Sequence, residues 1–256
     1  MAGACCNPLT IVGSSDAFAL NGKLTVLMPA YNEEGGLVNS VRLLREHLGT
    51  LGIPYEVLIV DDASRDRTGE IADELARRFP DVRVVHHPAN RGIGGGFVTG
   101  VAEARGDWFI LIPADLAMDP AELSRYLDAA HDADVVVGIR SDRSDYSGWR
   151  LLVSWLNIRL IQLLFGMPQR QFNYISMYRL SVLRQMQIEY WRSAFFHAET
   201  LIKARDLGYR LVEVEIRYVP RTSGRATGAN ARLIMRTLRD MVLFWFRRTF
   251  LGRKVS

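Results

Sequence analysis

Leu24-Thr25-Val26-Leu27-Met28-Pro29-Ala30-Tyr31-Asn32-Glu33-Glu34 is the stretch whose reading decides the fold. A short run from Leu24 to Met28, bounded by proline and followed at once by acids and amides, reads as a buried parallel strand ending at a polar loop. Four more runs repeat the pattern: Glu56–Val60, Val82–His86, Trp108–Ile112 and Val135–Gly138. Between them apolar residues recur at helical spacing, as Leu37, Val41, Leu44 and Leu48, then Ile71, Leu75 and Phe79. Phe97, Val101 and Ala104 form a third such set, and Leu123, Leu127 and Ala130 a fourth. Strand and helix alternate four times, which predicts a doubly wound α/β sheet with right-handed crossovers.

Ligands of such sheets bind outside the carboxyl ends of the strands. Those ends carry Pro29-Ala30-Tyr31-Asn32-Glu33-Glu34, Asp61-Asp62-Ala63-Ser64, Asn90-Arg91-Gly92 and Pro113-Ala114-Asp115. Acid, amide or glycine chemistry at all four favours a binding crevice over an ordinary solvated rim. Helix capping by Asp61, Asp62 and Ser64 is the plainer alternative, and it accounts for one carboxylate more easily than for both.

Beyond the fifth strand the pattern changes. Ile139–Arg150 reads as a polar loop, Leu151–Phe165 as a strongly apolar helix, Glu189–Gly208 as a helix and Leu211–Val219 as a half-exposed strand. From Arg232 onward Ile234, Leu238, Met241 and Trp245 form a helical stripe. The domain division expected is a lead-in over 1–21, an α/β domain over 22–228, and a basic amphipathic helix over 229–256.

The 256 residues carry a net charge of +4, unevenly spread. The segment from Arg217 to Ser256 holds ten Lys/Arg against one Asp, so it is +9 while the rest is −5. A basic tail on an acidic body suits an anionic membrane surface or another polyanion, or simply a solvated helix face. Nucleic acid is not an expected partner, and the oligomeric state is left open. Cys5 and Cys6, the only cysteines, are adjacent and cannot staple a fold, so a reducing compartment is expected. No secretory signal and no spanning apolar run is read. The expected location is cytoplasmic, peripheral on the inner face of the membrane.

The loop motifs, in this order, resemble family 2 inverting glycosyltransferases, nearest to the dolichyl- and polyprenyl-phosphate mannose and glucose synthases. The resemblance continues through Arg105-Gly106-Asp107, Ala114-Asp115 to Pro120, His197-Ala198-Glu199 and Val219-Pro220-Arg221-Thr222-Ser223-Gly224, covering roughly 24–228. It implies a GT-A, Rossmann-like, mostly parallel sheet flanked by helices, with C-terminal amphipathic helices. It also implies transfer of a hexose from a UDP- or GDP-sugar to polyprenyl phosphate. A soluble glycan or small-molecule acceptor, and a non-catalytic nucleotide-sugar-binding protein, are the alternatives.

By this resemblance Pro29, Tyr31, Glu33, Asp61, Asp62, Asn90, Gly92, Ala114 and Asp115 line the donor nucleotide site. Tyr31 is suited to pack on a base, and Glu33 and Asp62 to accept hydrogen bonds from base or ribose. The family's Asp-x-Asp, which holds Mg2+ or Mn2+, is here Pro113-Ala114-Asp115, and Ala117 stands where many members have Gln. Asp115 alone with phosphates and water, Asp115 helped by Asp119, or arginines in place of metal are the three outcomes left open. Catalytic roles fall to Asp115, to Glu199 as a base or acceptor-positioning group, and to Arg221 as a phosphate contact. For Glu199 the competing reading is a helix-face ion pair with Lys203. Arg140, Arg143, Arg217 and Arg225 also flank the expected site.

Gly92-Ile93-Gly94-Gly95-Gly96 does not fit a dinucleotide fingerprint, and these glycines are expected to let the backbone pass close to the donor. His86-His87 reads as a strand end without zinc spacing. Gln171 stands where many lipid-phosphate relatives have Asp.

Overall fold

The computed structural model describes residues 22–116, 118–142, 147–217 and 231–250. Its strands are β1 (Leu24–Ala30), β2 (Tyr55–Asp61), β3 (Val82–His86), β4 (Trp108–Leu111), β5 (Val135–Arg140), β6 (Ser176–Arg179) and β7 (Leu211–Ile216). They form one sheet in the order β3-β2-β1-β4-β6-β5-β7. Only β6 runs antiparallel to its neighbours, β4 and β5. The helices are α1 (Leu37–Thr50), α2 (Thr68–Arg78), α3 (Gly92–Glu103), α4 (Leu123–Ala130), α5 (Gly148–Phe165), α6 (Leu180–Arg184), α7 (Phe196–Asp206) and α8 (Ala231–Phe250).

Two cores cover the two faces. In β1, Leu24, Val26, Met28 and Ala30 join α1, α2 and α4 in one core, while Leu27 joins α3 and the later helices in the other. This is the two-residue period of a strand buried on both sides. The chain winds outward from β1 through β2 to β3, then returns to place β4 on the other side of β1. Strand order therefore reverses between β1 and β4, and a crevice opens at their carboxyl ends.

Three expectations change. β6 is a four-residue strand inserted between β4 and β5, and Ser-Met-Tyr-Arg has no alternation to announce it. The polar loop shortens from both sides, because β5 runs to Arg140 and α5 begins at Gly148, capped by the Ser147 hydroxyl, which accepts from Arg150 N–H. The expected helix over 189–208 starts only at Phe196. Residues before it are held out of helical register by Glu199, whose carboxylate accepts the N–H groups of Glu189 and Tyr190 at 2.9 Å each.

α8 belongs to the packed body. Met241 and Phe244 enter the second core, where Phe244 lies 5.5 Å from Phe195 and 5.6 Å from Phe165 between ring centroids. The outer faces of α5 and α8 stay apolar and exposed, with Leu163 at 81%, Trp149 and Phe250 at 62% and Trp155 at 53%. Among the described residues no helix is long and apolar enough to cross a membrane.

Candidate active site

The crevice is built by loops that hold one another. Asn32 N–H donates to Ser64 Oγ (3.1 Å), and Asn32 Oδ1 accepts from Arg65 N–H (2.8 Å). Glu33 N–H donates to Thr68 Oγ1 at 2.7 Å, and Glu34 exchanges bonds with Asp66 and Arg67. The loop after β1 is thereby laced to the loop after β2. The described non-glycine residues with left-handed backbone are Asn32, Ala63 and Leu116, at φ 55°, 60° and 45°. They follow β1, β2 and β4 in turn, all on this edge. For residues with a Cβ that conformation costs roughly 1–2 kcal/mol, and such strain collects where loop shape matters more than stability.

Tyr31 is 40% exposed at the mouth, with Pro29 and Glu33 half-buried beside it. Asp61 is buried; its Oδ1 accepts Ser64 N–H and its Oδ2 faces His86 Nδ1 at 3.0 Å. Burial pushes the Asp61 carboxyl up, but the bonds from Ser64 and His86 outweigh it and hold the group below its ordinary value. The N-cap of α2 is Arg67, without a side-chain cap; Asp66 just before it accepts Thr68 N–H at 3.0 Å, and Asp61 and Asp62 bond elsewhere, so they are not its caps.

Asp62 has both oxygens committed to the protein. Oδ1 accepts Arg91 N–H (2.8 Å) and meets His87 Nδ1 (2.7 Å), while Oδ2 accepts Gly92 N–H (2.7 Å). Expected to bond base or ribose, it also clamps the start of α3, with Asn90 Nδ2 donating to its backbone carbonyl at 3.3 Å. Gly92 and Asn90 are exposed at the rim.

The glycine run also has a packing role. A Cβ on Gly94 would collide with the Trp191 carbonyl, and one on Gly95 with the Arg91 side chain. Gly96 lies against Pro29, and Gly100 against Leu27. These buried glycines let α3 press onto β1 and the Trp191 loop. Arg91 then stacks its guanidinium 5.1 Å from the Trp191 ring centre.

After β4, Ala114 packs into the core beneath a half-buried Asp115. Asp119 is turned away as a cap, accepting Ala121 N–H at 2.9 Å. Among the described residues no three His, Cys, Asp or Glu side chains gather as a metal cage. The donor set therefore fits a hard cation that brings phosphate and water ligands with it, held by one protein carboxylate. It does not fit a metal bound by protein alone.

Glu199 is 0% exposed and paired with Lys203, 3% exposed, at 2.9 Å. Burial lifts its carboxyl above the ordinary value, opposed by Lys203. The enclosed geometry is that of an anchor for the 187–191 loop, not of a base facing an acceptor. Arg221 lies outside the described residues, as do Arg143 and Arg225. Arg217 is exposed at the end of β7, its N–H donating to Glu122 at 3.3 Å.

A polar recess, which the sequence did not reveal, lies between β5, α5 and residues 171–174, lined by Arg140, Ser154, Asn157, Gln171 and Asn173. Gln171 Oε1 accepts Arg140 N–H (3.1 Å) and its Nε2 donates to Arg140 C=O (2.9 Å). An aspartate would supply the acceptor and lack the donor, which is a physical reason for an amide here. β5 is parallel to β4, since both are antiparallel to β6, so the recess opens on the same edge as Asp115.

A mostly parallel sheet of reversed strand order, with laced acidic loops at its switch point, is an α/β fold of the GT-A kind. The model of Glycosyl transferase family 2 matches residues 25–195, and the chain belongs to that family. It is 32% identical over 222 residues to an undecaprenyl-phosphate 4-deoxy-4-formamido-L-arabinose transferase of Edwardsiella ictaluri, covering 82% of this chain and 64% of that protein's length. An undecaprenyl-phosphate mannosyltransferase of Micrococcus luteus is 29% identical, over 80% of this chain and 86% of the relative. Two solved structures share the fold. A Pyrobaculum calidifontis mannosyltransferase, in complex with GDP-Man and Mn2+, gives a TM-score of 0.63 at 17% identity, over 90% of this chain and 68% of the other. Glucosyl-3-phosphoglycerate synthase of Mycobacterium tuberculosis, with Mn2+, UDP and glucosyl-3-phosphoglycerate, gives 0.68 at 17% identity, over 94% and 86%.

Proposed function

We propose that the protein is an inverting glycosyltransferase that moves a hexose from a UDP- or GDP-sugar to polyprenyl phosphate at a membrane surface. One observation carries this reading: the acidic crevice and the Arg140 recess share one sheet edge, and the recess is walled by a helix whose outer face is exposed and apolar. Tyr31 packs on the base, Asp61 and Glu33 recognise the nucleoside, and Asp62 keeps the α3 end in place behind them. Asp115 would hold Mg2+ or Mn2+ together with the diphosphate, the metal supplying charge neutralisation of the leaving group. The acceptor phosphate lodges by Arg140 and Ser154, with its oxygen opposite the diphosphate. The new bond from that oxygen to the anomeric carbon forms as the bond to the diphosphate breaks, inverting the centre. An anionic phosphate needs no general base, which agrees with the enclosure of Glu199.

The names of the similar undecaprenyl-phosphate transferases support the same acceptor class. With radiolabelled UDP- and GDP-hexoses and vesicles containing undecaprenyl phosphate, label is expected in the organic phase. Label entering only water-soluble products would overturn the lipid acceptor.

Peripheral attachment through α5 and α8 follows from their exposed Trp, Leu and Phe side chains and from Arg232, Arg236, Arg239 and Arg248 on α8. Leu163→Glu combined with Trp155→Glu is expected to weaken co-sedimentation with anionic vesicles about tenfold or more, because two bulky side chains leave the interface. UDP and GDP binding should stay unchanged. Full retention on vesicles would exclude α5 from the docking face.

A further inference from the structure

His86 stands with Nδ1 3.0 Å from Asp61 Oδ2 and Nε2 3.0 Å from Asp73 Oδ1. Ionised carboxylates only accept hydrogen bonds. A neutral imidazole donates from one nitrogen, whereas the imidazolium donates from both. Both carboxylates are therefore satisfied together only by the protonated ring. The charged groups facing it are Asp61 from β2 and Asp73 from α2. The first turn of α2 is kept thin beside the pair, since a Cβ on Gly69 would stand 3.0 Å from Asp61 Oδ2 and 3.5 Å from His86 Cε1. The bond to Asp61 raises the imidazole above its ordinary value against the effect of burial, and Asp73 adds to the rise.

We infer that His86 is a positioning residue of the donor pocket, which as an imidazolium fixes the Asp61 carboxylate and offsets its charge beside an incoming nucleoside diphosphate. The inference rests on the donor-site reading above, which puts Asp61 at the nucleoside. Its direction with pH follows from the geometry. Below the raised imidazole value the ring is a cation joining the two carboxylates. As pH rises through that value the cation is lost, and buried Asp61 presents an uncompensated negative charge to an anionic ligand. The half-exposed Asp73 is free to turn to water, but Asp61 is not. His86 does end β3, as the sequence indicates, while its partners stay hidden there because neither carboxylate is near it in the chain.

Dissociation constants for UDP and for GDP, measured with Mg2+ between about pH 6 and pH 8.5, test this on wild type, His86→Gln and Asp73→Asn. In the wild type affinity is expected to fall about 3–10-fold across the range, as one nearby positive charge is removed. His86→Gln should bind weakly already at the acid end and change only with the ligand's own titration, which is common to all three proteins. Asp73→Asn should keep the pH dependence with its midpoint moved to lower pH, a result that a merely structural role for His86 would not give. In transfer assays the effect should fall on the donor KM, leaving kcat within about twofold. The same pH profile in wild type and His86→Gln would overturn the inference while leaving the donor site standing. A wild type that binds neither nucleotide at any pH would overturn the donor reading, and this inference with it.

Discussion

Replacing Glu199 by alanine is expected to lower the unfolding free energy by about 3–5 kcal/mol, the cost of breaking a buried ion pair by removing one partner. Lys203 would keep only the Gln187 carbonyl at 2.5 Å and Glu189 at 3.5 Å, and the N–H groups of Glu189 and Tyr190 would lose their acceptor. Urea unfolding measures the loss, and a change below about 1 kcal/mol would contradict the buried-pair account. Glu199→Gln should cost less, since the amide oxygen still accepts one backbone N–H. Nucleotide affinity should fall along with stability. The 187–191 loop carries Trp191 against Gly94 and under Arg91, whose own N–H is held by Asp62. A base acting directly on the acceptor would give a different result: lost turnover with stability intact.

On the proposed reading, in which Asp115 is the protein ligand of a divalent cation at the diphosphate, Asp115→Ala is expected to reduce kcat about 10²–10³-fold, because that cation stabilises several kcal/mol of developing charge. The fold should be unaffected, as the residue is half-buried on a loop beyond β4. Asp119→Asn separates the alternatives for the metal. Asn keeps the Oδ1 acceptor for Ala121 N–H, so Asp119→Asn should leave stability within about 0.5 kcal/mol and change transfer little. Equal damage to turnover from both substitutions would show that the two carboxylates share the cation.

Much of this was legible in the sequence because parallel strands buried on both faces write themselves as apolar runs. β1 through β5 fall within two residues of the expected bounds, and all four carboxyl-end loops meet at one edge. The missing parts are those that depend on residues distant in the chain. β6 has no periodicity of its own and exists because β4 and β5 leave a gap of one strand between them. Asp61 and Asp62 look alike in the sequence, yet His86 and His87 each engage one of them, and Arg91 and Gly92 take Asp62 out of solvent. Glu199 matched a family motif, and only packing shows that Lys203 and a folded-back loop enclose it. The Arg140 recess draws its lining from β5, α5 and the 171–174 segment, which no local pattern links.

The glycines of α3 carry a consequence for how the molecule assembles. Gly92, Gly94, Gly95, Gly96 and Gly100 fall within twelve residues of one helix, each disfavouring helix by about 0.5–1 kcal/mol relative to alanine. Such a segment has no intrinsic tendency to stay wound, and an isolated piece of this length would be coil. It becomes helical because β1 and the Trp191 loop close on the flat faces that only glycine can offer. Segments nearly a hundred residues apart thus order together or not at all, forming one cooperative unit. The rim of the crevice is only as rigid as that distant partnership.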